Sequence, residues 1–83
     1  MSNYYDFKRL KKDVKLLAQI PAEDPARKDW YNMCAKDLRE WREKTFKSEK
    51  SLSNHIKGLS SFMDKLPKKQ RVALAKLIRI SGL

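Results

Sequence analysis

The chain has 83 residues, 41% hydrophobic and 36% charged, with 2 Gly and 3 Pro, which argues against wholesale disorder and against a turn-rich all-β fold. Its 20 Lys and Arg against 10 Asp and Glu give a net charge of +10, which suits an anionic partner. A single cysteine, Cys34, excludes an internal disulfide and a cysteine-rich zinc site, and a reducing, cytoplasmic setting is the simplest fit.

The first helix is expected over about residues 3–20. Ser2 or Asn3 can cap it, with Asp6 favourable in the first turn. Phe7, Leu10, Val14 and Leu17 fall at i, i+3, i+7 and i+10, an apolar stripe spanning an arc of about 80° on a helical wheel. Lys8, Lys11, Lys12 and Lys15 occupy a separate arc of about 100°, while Arg9 falls between Asp6 and Asp13. Like charges at i, i+4 repel by a few tenths of a kcal/mol, so folding alone does not call for that segregation. Pro21 ends the helix by disfavouring the α conformation at Ile20.

The second helix is expected over about 25–47, with Asp24 as N-cap and Pro25 in the first position. Trp30, Cys34, Leu38, Trp41 and Thr45 form its inward stripe, with Met33 at the edge. Lys36–Glu40–Lys44 and Arg39–Glu43–Lys47 are possible i, i+4 ion-pair series on its surface. The third helix is expected over about 51–66, capped by Ser48 or Ser51. Leu52, Ile56, Leu59, Met63 and Leu66 repeat at spacings of four and three, with His55 and Phe62 beside them. Gly58, unfavourable inside a helix by about 1 kcal/mol relative to Ala, marks close helix packing. Pro67 closes that helix and opens a fourth, about 67–81. There Leu74, Leu77 and Ile78 share one face, and Lys68, Lys69, Lys76 and Arg79 cluster opposite, around Val72.

These elements predict one all-α domain over residues 1–83, a compact bundle of about four short amphipathic helices. Charge is uneven along it: net +3 over residues 1–20, +1 over 21–47 and +6 over 48–83. If the first and fourth helices are neighbours, their two basic faces merge.

No catalytic constellation stands out. The acidic residues of the second helix alternate with basic ones, and there is no Gly-rich phosphate loop. Cys34 reads as a small buried residue and His55 as a packed one. Trp30 and Trp41 read as core, leaving Tyr4, Tyr5 and Tyr31 as the candidate aromatic surface contacts. An enzyme, a metal site and a cofactor are not expected. The N-terminus lacks an apolar leader segment, and no apolar run approaches the roughly 20 residues that span a bilayer.

"LPKKQRVALAKLIRISGL", residues 66–83, resembles the opening of the DNA-binding region of sigma factors, where a Leu-Pro and a Gln-Arg precede a helix ending near Gly-Leu. A helix-turn-helix follows in that family and is not found here, so no function is carried over.

The reading is therefore a small basic, non-enzymatic binding protein. Nucleic acid, DNA or RNA, is the favoured partner, held through phosphates by Lys8, Lys11, Lys12, Lys15, Lys68, Lys69, Lys76 and Arg79. The alternative is a protein-interaction module or inhibitor, of the accessory or phage type, that binds an acidic surface of a larger protein. Tyr4, Tyr5, Tyr31 or Phe46 would then supply anchors. An anionic membrane surface, contacted through the first helix, ranks third. The heptad-like spacings of helices one and three would also serve a homodimer seam.

Overall fold

A computed structural model describes residues 5–82. Four helices follow one another: α1 (Phe7–Gln19), α2 (Arg27–Thr45), α3 (Glu49–Asp64) and α4 (Lys68–Ile80), with no strand among the described residues. The Cα radius of gyration is 12.6 Å. A globule of this length is expected near 12 Å. The all-α bundle expected from the sequence is the architecture observed.

Each helix boundary has a local cause, and three starts differ from expectation. Asp6 is the N-cap of α1 rather than a first-turn residue: its Oδ1 accepts the Arg9 N–H at 2.9 Å. The expected caps, Ser2 and Asn3, lie outside the described residues, as does Tyr4. Ile20 is extended (ψ 124°) ahead of Pro21, as the proline dictates. Asp24 does cap, but it caps a tight turn two residues early. Its Oδ1 accepts the Ala26 N–H at 2.9 Å and its carbonyl accepts the Arg27 N–H at 3.1 Å, so α2 begins at Arg27 and not at Pro25.

Both candidate serines serve α3. Ser48 is the N-cap and Ser51 sits at N3, each side-chain oxygen accepting the other's backbone N–H at 3.1 Å, which starts the helix at Glu49. At the far end of α4, Ser81 Oγ donates to the Ile78 carbonyl at 2.8 Å. Gly82 follows at φ 85°, the left-handed position that a helix terminus commonly gives to glycine.

α4 packs against all three other helices, most extensively against α1. Leu10, Val14 and Leu17 of α1, Leu38 of α2 and Leu74 and Leu77 of α4 are completely or almost completely buried. Phe7 lies over Gly58 of α3, where an added Cβ would come within 3.2 Å of Phe7 Cζ. That close approach is what the glycine permits.

The inward face of α2 is rotated from the expected one. Tyr31, Cys34, Ala35 and Leu38 are buried, whereas Trp30 is 40% exposed and Thr45 is exposed. Aromatic residues at both 30 and 31 fit either phase. The buried phase is the one that places small Cys34 and Ala35 where neighbouring helices approach. Tyr5 and Tyr31, expected as surface contacts, are therefore core residues at 7% and 2% exposure. Tyr5 can be buried because its hydroxyl donates to Asp13 Oδ2 at 3.0 Å, which leaves only ring surface to pack. Phe46 is half-buried, its ring stacked on His55 at 4.0 Å and 19°, and is not a free anchor. In α3 the stripe turns the same way: His55 is buried and Ile56 exposed.

Candidate functional site

The α1–α4 contact brings lysines from three parts of the chain to one place. Lys11 and Lys15 of α1 and Lys65, just after α3, line a cleft of about 340 Å³ over Phe62, Leu66, Pro67 and Gln70. Lys15 also lines the adjoining cleft of about 500 Å³, together with Lys68 and Lys69 at the start of α4. No carboxylate lines either cleft, and none of these five lysines is ion-paired among the described residues.

The backbone adds to the field there. α4 begins at Pro67 with no side-chain cap and no acid in its first turn, so its free N–H groups and positive dipole end face the lysines. Lys68 and Lys69 at that position are unfavourable for the helix itself. The seam is a concentrated positive surface that folding does not require.

Of the residues expected in a binding face, Lys11, Lys15, Lys68 and Lys69 come together. Lys8, Lys12 and Arg79 are exposed on the same helices but do not line the seam. Lys76 is partly buried, its Nζ 4.6 Å from the centre of the Tyr31 ring, where cation–π attraction holds it. Lys65 was missed by sequence reasoning, and its signal was its place two residues before Pro67. Arg27 was missed too, and it lies over the same tyrosine at 4.9 Å. Val72, 62% exposed, stands in the middle of the α4 basic face.

Other cations have structural duties. Arg9 pairs with Asp37 at 3.5 Å and lies over the Tyr5 ring. Arg39 Nε and Arg42 Nη2 donate to the Ser81 carbonyl at 3.2 and 3.0 Å, and Arg39 Nη2 donates to that of Ile80 at 3.3 Å. These arginines complete the C-terminus of α4 from the side of α2. A further cleft of about 550 Å³ is lined by Asp6, Asp37 and Glu40 with Arg9 and Lys44, over Tyr5, Trp41 and Phe46. Its charges oppose one another, so it offers no net attraction for an anion.

Cys34 is buried beside Asp13 and Asp37, and burial, reinforced by those carboxylates, pushes its thiol up to about 12. Burial also raises the Tyr5 hydroxyl and the Asp13 carboxyl, the latter opposed by its bond from Tyr5 and by Arg9. A thiolate is scarce there at neutral pH. Cys34 is expected to react with a disulfide reagent at pH 8 at least about a hundredfold more slowly in the folded protein than in denaturant. Comparable rates in the two states would place the thiol at the surface.

Among the described residues no helix is long and apolar enough to cross a membrane. Comparison with protein-family models, curated proteins and solved structures gives no match.

Proposed function

We propose that this chain is a nucleic-acid-binding helical protein that holds backbone phosphates in the seam between α1 and the start of α4. One observation carries this reading. Lys11, Lys15, Lys65, Lys68 and Lys69 converge from three parts of the chain around an uncapped helix N-terminus, with no carboxylate among the lining residues. Lysines and backbone N–H groups suit phosphate contact, in which charge and counterion release dominate and base identity matters little.

The test is a salt titration of binding to duplex DNA, single-stranded DNA and RNA. Replacing Lys11, Lys15 and Lys69 together by Gln is expected to weaken duplex binding about a hundredfold near 0.1 M salt. The log–log salt slope should fall by about 2.7, with helicity unchanged. Absence of binding to all three polymers, or a triple variant with unchanged affinity and slope, would overturn the proposal. An acidic protein that remains stoichiometrically bound after nuclease treatment would replace it with the protein-partner reading.

A further inference from the structure

We propose that Arg27 of α2 and Lys76 of α4 form, over the Tyr31 ring, a discrete seat for one phosphoryl group at the edge of the basic seam. The inference deepens the nucleic-acid reading and rests on it for the identity of the larger ligand.

Two cations converge on one aromatic ring. Arg27 Cζ is 4.9 Å and Lys76 Nζ 4.6 Å from the centre of Tyr31, a side chain only 2% exposed. One cation would suffice to cover the ring, and a second adds like-charge repulsion. Cation–π attraction offsets part of this. No carboxylate among the described residues is ion-paired with either cation. Asp24 lines the same cleft as Arg27 and Lys76, where its Oδ1 accepts the Ala26 N–H and Lys28 adds a further positive charge. Arg27 Nε is buried with no hydrogen-bond partner, so the ring and not an acid holds the guanidinium.

Space is present on both sides. One cleft of about 490 Å³ is lined by Arg27, Lys28, Tyr31 and Lys76, with Asp24 as the single carboxylate against three cations. A second, of about 380 Å³, is lined by Arg27 and Tyr31 with Lys68 and Lys69, which also belong to the seam. The seat therefore joins the lysine surface without a break. A planar guanidinium beside an ammonium suits a phosphoryl group, the first offering a two-pronged donor and the second a point charge. That group can belong to a free phosphate compound or to a nucleic-acid backbone.

The buried Arg27 Nε–H provides the readout. Its proton is shielded from water and is to be followed by NMR while inorganic phosphate, and separately a single-stranded DNA oligonucleotide, is added at constant ionic strength. A saturable shift of the Arg27 Nε–H signal with inorganic phosphate is expected, with none on adding chloride alone. Arg27→Lys should remove the signal, and Lys76→Gln should weaken phosphate binding about tenfold. A shift with the oligonucleotide, and a similar loss of oligonucleotide affinity in Lys76→Gln, identifies the backbone as a source. A shift with phosphate but not with the oligonucleotide assigns the seat to small phosphate compounds. Oligonucleotide binding with its salt dependence intact, an unmoved Arg27 signal and unchanged affinity in both variants would overturn the seat while leaving the seam. No binding of any nucleic acid, with the phosphate shift present, would overturn the seam while leaving the seat.

Discussion

Acidification from pH 7 to pH 4 is expected to remove about 3 kcal/mol of folding stability through His55 alone. The imidazole is 2% exposed, and neither ring nitrogen has a hydrogen-bond partner. It is stacked on Phe46 at 4.0 Å and meets the Trp41 ring edge-on at 4.6 Å, with Phe7 further out at 6.3 Å. Burial, with the Arg42 charge adding to it, pushes its pKa from the usual 6.5 down to about 4. In the unfolded chain the ring takes a proton near 6.5, and in the folded protein only near 4. The unfolded state therefore binds more protons between those values. The stabilisation is fully present above pH 6.5 and is lost as the pH falls towards 4. Asp13, whose carboxyl is raised by burial, works in the opposite sense at the acid end and shallows the lower part of the curve.

Urea unfolding at several pH values from 7.5 to 4 measures the effect, with His55→Phe as the comparison. The variant keeps a ring and removes two unsatisfied polar atoms, so it should lose most of the pH dependence and exceed the parent at pH 4.5. If the acid-induced loss persisted unchanged in His55→Phe, another group would be responsible for it.

Leu74→Ala is expected to cost about 3–4 kcal/mol. Leu74 is completely buried on α4, the helix that touches all the others. A chain of this size is expected to have only about 4–12 kcal/mol in total. The denaturation midpoint should fall steeply. Binding should separate this variant from the seam variants. At low temperature the folded part of Leu74→Ala is expected to bind nucleic acid with the parent's salt slope, whereas the Lys→Gln triple keeps the midpoint and flattens the slope. An unchanged midpoint in Leu74→Ala would contradict the central place given to α4.

Much of the bundle was legible in the sequence because its punctuation is local. Pro21, Pro67 and the Ser48–Ser51 pair mark three breaks through effects confined to a few residues. The α1 stripe was legible because Phe7, Leu10, Val14 and Leu17 share one phase, and only Leu16, 41% exposed, departs from it. α2 was misread because Trp30 and Tyr31 are adjacent, and periodicity alone cannot say which of them turns inward. That choice depends on how closely other helices approach Cys34 and Ala35, a property of packing. The lysine faces were visible on the wheel, but their junction was not. Lys65 and Arg27 join the positive surface through the α1–α4 contact and the shared tyrosine, and regional charge counts hide both.

The arginine contacts at the end of α4 bear on the proposed phosphate binding. Arg39 and Arg42 fasten the carbonyls of Ile80 and Ser81 to α2. Leu74 and Leu77 hold the middle of the helix in the core. α4 is thus a rail clamped at its far end, with its open amide end presented at Pro67. The entropy of arranging that end is settled during folding, so under the proposed phosphate binding a ligand would need to immobilise only lysine side chains, and more of the contact energy would remain as affinity.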